Sequence, residues 1–287
     1  MSNKQSIIFC DLSDKTKKMI EDYAEALREA APRIGLEIHN NQDQFWESGL
    51  FESAIERLRG QNAASTGNKQ TFVEAIFSYM KEKGYITFFE FKGADGRHDY
   101  EVKIEDWTCA VELKGCLDGN NTTIFERPQG VNEFIIWSLC QNIGADPRHN
   151  AWSGIHTRLS AEIIHRKQVV DGVVIWDMRC NTTFRLCPKV AAPDRIKEVG
   201  AYKLPPPCIY LLPNAVPNPK GQPNPPVHQI DQVRFLHALY KCFGCNNKDV
   251  VRVSIEVKEE GSEVKRRTIY HRDGQEIAKS KWTIIRR

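Results

Sequence analysis

Between residues 71 and 114 a helical stretch is followed by three strand-like runs with almost no chain between them, and that order leaves few ways to fold. Thr71-Phe-Val-Glu74 opens the helix, Ala-Ile-Phe-Ser-Tyr-Met-Lys-Glu-Lys continues it, and Gly84 stands where a C-terminal cap belongs. Strand-like runs follow at 85–91, 98–104 and 107–114. The segment from Lys92 to Arg97 separates the first two, and Glu105-Asp106 alone separates the second and third. Both connections suit antiparallel hairpins.

On either side of this unit the pattern is mixed. Residues 12–30 read as a helix capped by Ser13 or Asp14, and 43–59 as another, with the polar segment 60–68 as a loop. Helical patterns are expected at about 130–142 and 153–168, then a buried strand over 171–177 and a further strand over 208–212. Six prolines between Pro213 and Pro226 exclude regular structure there, so this stretch is an extended connection. A helix at about 229–242 and strands near 249–257, 264–271 and 281–286 complete the chain. They form either a small C-terminal subdomain or an extension of the main sheet. The expected organisation is an N-terminal helical region over 1–69, an α/β core over 70–212, the Pro-rich connection over 213–228, and a β-rich extension over 229–287.

Composition excludes several classes. The chain has 287 residues, 41% hydrophobic and 27% charged, the mixture of an ordinary globular protein. No apolar run approaches the ~20 residues that cross a bilayer, and Asp11 interrupts the N-terminus before a signal-peptide apolar region develops. Nine cysteines, an odd number scattered through a chain too large to need disulfide staples, point to a reducing cytoplasm. The formal charge is +3, but residues 241–287 hold twelve Lys/Arg against seven Asp/Glu. That basic end is either an electrostatic footprint for nucleic acid or a solvated face of the last strands.

The residues that carry chemistry lie at the end of the third strand. In Trp107-Thr-Cys-Ala-Val-Glu-Leu-Lys, strand alternation puts Thr108, Ala110, Glu112 and Lys114 on one face. The hairpin register brings Asp99, at the start of the preceding strand, close to Glu112. Two carboxylates converging at a strand end make a hard-oxygen site suited to Mg²⁺, with Lys114 placed to act on whatever the metal holds. The tripeptide Glu-x-Lys occurs five times, at Glu90, Glu101, Glu112, Glu256 and Glu263, so context selects among them. Only Glu112 has an Asp at the start of a neighbouring strand and a helix ahead of the hairpin. The competing reading of Glu112 and Lys114 is a cross-strand salt bridge at a sheet edge.

This pattern resembles the PD-(D/E)XK nuclease superfamily, whose core is a helix, a three-stranded antiparallel unit, a helix and a further strand. The resemblance covers about residues 70–178 and implies an α/β PD-(D/E)XK-like core with N-terminal helices and a C-terminal β-rich extension. Asp99 takes the signature Asp position, with His98 where the motif often has Pro, and Glu112 and Lys114 take the Glu and Lys positions. Glu74 matches the first-helix Glu of many members, which implies a catalytic-site residue that supports the metal ligands or holds a second metal, although Thr71-x-x-Glu74 is also a capping-box pattern. Within the superfamily the chain looks most like a type II restriction endonuclease. The resemblance thus implies a Mg²⁺-dependent, sequence-specific hydrolase of double-stranded DNA acting as a homodimer. Asp99, Glu112 and the Leu113 carbonyl would hold the metal, and Lys114 would orient the attacking water or stabilise developing charge.

For target recognition, Arg148, Trp152, Arg158, Arg166 and Lys167 lie on or near the helices after the motif, and Arg179, Asn181, Arg185 and Lys189 follow the last core strand. Arg and Asn suit guanine and adenine edges in the major groove. Arg127 and Gln129 are positioned for backbone phosphate near the scissile bond. Two rival readings stand beside the restriction enzyme. One is a repair or junction-resolving nuclease on the same core. The other is a non-catalytic nucleic-acid-binding protein stabilised by zinc, for which Cys242-Phe-Gly-Cys245 is half a site and Cys180 with Cys187 a candidate other half.

Overall fold

The structure is a computed structural model that describes residues 66–93, 98–115, 128–140, 170–177, 193–214 and 224–284, together with the single positions Lys15, Lys18 and Asp22, which are helical. The helices expected at 43–59 and 153–168, and most of that at 12–30, lie outside the described residues.

Helix α1 spans Thr66–Glu82. Phe72, Val73, Ile76, Phe77 and Met80 recur one turn apart and are all buried, giving the single apolar stripe that docks the helix. It ends as expected at Gly84. With φ at +75°, Gly84 donates its N–H to the Lys81 carbonyl at 3.0 Å, and Tyr85 donates to Met80 at 2.8 Å. The start differs from expectation. Helix α1 begins five residues before Thr71, so the last part of the supposed loop is helical and Thr71-x-x-Glu74 is not a capping box.

The three runs after α1 form the expected meander: β1 (Phe88–Phe91), β2 (Tyr100–Ile104) and β3 (Trp107–Gly115), paired antiparallel in that order. Next comes β4 (Glu133–Cys140), which corrects the helix expected at 130–142. Phe134 and Ile136 are buried in one apolar layer while Ile135 and Trp137 are buried in the other. A strand covered on both faces carries no polar alternation, so Phe-Ile-Ile-Trp has no period to betray it. β4 runs parallel to β3, and β5 (Gly172–Asp177) runs parallel to β4. Parallel neighbours need crossovers of a dozen or more residues, and the intervals after β3 and β4 are long enough.

A separate hairpin, β6 (Lys197–Val199) and β7 (Tyr202–Leu204), precedes β8 (Cys208–Leu211), which returns antiparallel to β5. The Pro-rich connection is anchored at its ends: Pro213 bridges Val227, and Asn214 N donates to the Pro226 carbonyl at 2.8 Å. Helix α2 (Arg234–Cys242) follows, then β9 (Val250–Glu260), β10 (Glu263–Arg272), β11 (Gln275–Lys279) and β12 (Thr283–Ile284). The strand expected at 281–286 is represented by the short β12, and β11 is unanticipated. Asp273 and Gly274, at φ +49° and +76°, form the two-residue turn that folds β10 back onto β11. Because β9 pairs parallel with β8, these strands extend the main sheet.

The protein is therefore mixed α/β, dominated by one sheet of ten strands among the described residues, in the order β1-β2-β3-β4-β5-β8-β9-β10-β11 with β12 beside β10. Six of its nine pairings are antiparallel, so the sheet is mostly antiparallel with parallel joints at β3–β4, β4–β5 and β8–β9. Helices α1 and α2 pack on one face. Phe77 meets Trp137 edge-on with centroids 5.5 Å apart, Trp137 stacks on Trp176 at 5.7 Å, and Phe243, just past α2, meets Trp176 at 4.5 Å.

Two contacts lock α2 to the sheet, and each makes a prediction. A methyl group added to Gly172 in β5 would lie 2.5 Å from Leu236 Cδ1 and 2.9 Å from the Tyr210 carbonyl oxygen, and the latter belongs to a paired strand that cannot step aside. Gly172→Ala should therefore cost about 1–3 kcal/mol of overpacking, read from chemical denaturation. The second contact is Glu133 at the start of β4. Its buried carboxylate accepts the Arg234 N–H at 2.5 Å and the Phe235 N–H at 2.9 Å, satisfying two orphan donors of α2 from 101 and 102 residues away. Glu133→Ala should destabilise by about 2 kcal/mol. Burial raises the Glu133 pKa, outweighing the opposing backbone hydrogen bonds. A raised carboxyl pKa favours folding most below the unfolded-state value, and stability falls as pH rises from there through the folded value. Glu133→Gln, which cannot ionise, should flatten that fall; an unchanged pH slope would contradict it.

Candidate functional site

The register of the β2–β3 hairpin decides which polar groups meet. Tyr100 pairs with Val111, so the next position outward sets Asp99 opposite Glu112. Tyr100 and Val111 belong to the apolar layer beneath α1, and Leu113 packs against that layer too. Alternation then turns Asp99 and Glu112 toward the opposite face. Both are half-buried. The ladder proper stops at Tyr100, and the Asp99 side chain continues it: Leu113 N donates to Asp99 Oδ2 at 2.7 Å. A residue's N–H and C=O point to the same edge of a strand, so the Leu113 carbonyl lies on the Asp99 side of β3 as well.

The sequence reading of Asp99, Glu112 and Leu113 thus corresponds to residues that meet at one hairpin end. Lys114 continues β3 opposite Ser138. Glu74 reaches this region from α1 through Tyr100: its Oε1 accepts the Tyr100 hydroxyl at 2.9 Å and Gln70 Nε2 at 3.1 Å. Burial and the Glu74 hydrogen bond raise the Tyr100 pKa far above the ordinary phenol value, so Tyr100 remains a donor. Glu74 therefore buttresses β2 from the helix side, on the face opposite to that of Asp99 and Glu112. His98 precedes the acid pair; burial lowers its pKa, leaving the imidazole neutral at pH 7.

Inspection of the sequence missed Lys92. It reads there as the first residue of a loop, yet Lys92 N donates to the Asp99 carbonyl at 2.9 Å and so extends β1 beside the acid pair. Its Nζ lies 2.5 Å from Glu90 Oε2 and 3.4 Å from Glu101 Oε2. Glu90, Lys92, Glu101, Lys103, Asp99 and Glu112 consequently share one sheet face, on which Glu90 stands opposite Glu101 and Lys92 opposite Asp99. The only signal in the sequence was Glu90-Phe-Lys92, a second Glu-x-Lys whose pairing with Asp99 depends on the β1–β2 register.

Of the residues expected to contact DNA, Gln129 alone falls among the described ones, exposed in the turn before β4. Arg127, Arg148, Arg158, Arg179, Asn181, Arg185 and Lys189 lie outside them, as do Cys180 and Cys187. Cys242 and Cys245 are buried, and burial raises both thiols, Cys242 to about 12. Thiols so placed are protonated while no metal is bound. Among the described residues no group of three or more His, Cys, Asp and Glu side chains is gathered as a metal cluster. The hairpin end offers a different set, two carboxylates and one backbone carbonyl. All are hard oxygens, and Asp99 is already oriented by the Leu113 N–H, so the residues present fit a small divalent cation.

No family model, curated protein or solved structure matches this chain.

Proposed function

We propose that this chain is a Mg²⁺-dependent endonuclease of the PD-(D/E)XK type that cuts double-stranded DNA at specific sequences, working as a homodimer. The observation that carries the proposal is the 2.7 Å bond from Leu113 N to Asp99 Oδ2, which fixes one carboxylate in register with Glu112 at a strand end. The helix α1, the antiparallel meander and the parallel β4 are consistent with that core.

Asp99, Glu112 and the Leu113 carbonyl would hold the metal, which when bound polarises a phosphoryl oxygen and acidifies a water. Lys114 orients the attacking water or meets the negative charge that develops on the phosphate. The water oxygen bonds to phosphorus and gives up a proton to solvent, the bond from phosphorus to one ester oxygen breaks, and that leaving oxygen takes a proton from solvent. Glu74 and Tyr100 keep β2 seated so that Asp99 does not swing away. Two such sites on one dimer match the two strands of a palindromic duplex.

Incubating the purified full chain with unmethylated DNA, in Mg²⁺ or in EDTA, tests this. Discrete fragments in Mg²⁺ and intact DNA in EDTA are expected. Cleavage confined to branched or damaged DNA would favour a structure-specific nuclease instead, and binding without any cleavage would remove the enzyme reading.

A further inference from the structure

We infer that β1 is the dimer interface of this protein, pairing antiparallel with β1 of a second copy so that Phe91 lies on the two-fold axis. β1 forms one edge of the sheet among the described residues, and Phe88 and Phe91 are 38% and 42% exposed. An edge of this kind, short but carrying two solvent-facing phenyl rings, is a template for strand addition unless something covers it.

The backbone limits the register. Lys92 N donates to the Asp99 carbonyl, so the even-numbered positions of β1 direct their N–H and C=O toward β2. Phe89 and Phe91 therefore direct theirs to the open edge, and any symmetric partner must bond through these odd positions. Three such registers exist close to the centre of the strand. Centring on Glu90 sets Glu90 against its own copy, two like charges at the close, non-hydrogen-bonded spacing. Centring on Phe89 sets Glu90 against Phe88. Centring on Phe91 sets Phe91 against itself across a hydrogen-bonded rung and Glu90 opposite Lys92 of the other copy, twice by symmetry. Opposite charges directly across strands are favourable and like charges unfavourable, so the third register is selected.

This geometry has a consequence for the site, which rests on the nuclease proposal. The two-fold axis stands normal to the sheet, so the face holding Asp99 and Glu112 is the same in both copies. Asp99 lies opposite Lys92, one residue from the axis. With strands ~4.8 Å apart and ~3.3 Å per residue, the two Asp99 positions are roughly 16 Å apart. Two sites that close on one continuous surface can address both strands of one duplex.

Sedimentation equilibrium on the full chain tests the interface without reference to activity. The wild type should give twice the 32.9 kDa chain mass. Glu90→Lys, which sets like charges opposite each other at two symmetric positions, should weaken association about tenfold or more, and the double exchange Glu90→Lys with Lys92→Glu should restore it. A wild type that stays monomeric, or a dimer unmoved by Glu90→Lys, would overturn the inference. Supercoiled plasmid separates the two proposals. The wild type should linearise it, whereas Glu90→Lys should release nicked circles. Absence of cutting in every protein would defeat the nuclease reading, while the masses would still decide the interface.

Discussion

Asp99→Asn should lower the rate of phosphodiester cleavage by about a thousandfold or more while leaving the fold intact. The amide has nearly the shape of the carboxylate, and its oxygen can still accept the Leu113 N–H, so the end of the β2–β3 ladder survives. What disappears is the negative charge facing Glu112. Metal-derived charge stabilisation amounts to several kcal/mol, and ~4 kcal/mol corresponds to about three powers of ten in rate. Glu112→Gln should behave alike. If Asp99 serves only to cap the ladder, Asp99→Asn will leave both cleavage and stability near the wild-type values, because the capping hydrogen bond is kept. Asp99→Ala, which deletes the acceptor, completes the comparison. It should lose cleavage and also about 1–3 kcal/mol of stability through the unsatisfied Leu113 donor.

Lys114→Ala is the second large effect. It should reduce cutting by about a hundred- to a thousandfold, the range seen when one preorganised stabiliser of developing charge is removed. DNA binding should be largely spared, since a single cation among many phosphate contacts contributes little to affinity. Cleavage under single-turnover conditions measures the first quantity and titration of fluorescent DNA the second. Retained cleavage would withdraw the assignment of Lys114. It would also turn attention to Lys92, which stands beside Asp99 on the same sheet face.

Local patterns and short hairpins were legible in the amino-acid sequence, and long-range pairings were not. The apolar stripe from Phe72 to Met80, the Gly84 stop and the Glu105-Asp106 turn are recorded in neighbouring residues, so α1, β2 and β3 stand where the sequence expects them. β4 reads as a helix because burial on both faces erases the period of two. The onset of α1 at Thr66 is hidden by Thr-Gly-Asn, whose propensities favour a loop and are overridden by the helix that follows. At the site, Asp99 and Glu112 could be paired by counting residues across a two-residue turn. Lys92 could not, because a longer connection separates β1 from β2 and counting across it does not set the register. Nor could Glu133, whose capping of α2 spans 101 residues and has no local signature.

The acid pair can be tested directly by soaking crystals of the full chain in Mn²⁺ and measuring anomalous scattering at the manganese edge. The account predicts a peak between the Asp99 and Glu112 carboxylates, within coordination distance of the Leu113 carbonyl, that vanishes in Asp99→Asn. A manganese peak elsewhere, with the carboxylates of Asp99 and Glu112 ordered and bare, would contradict it.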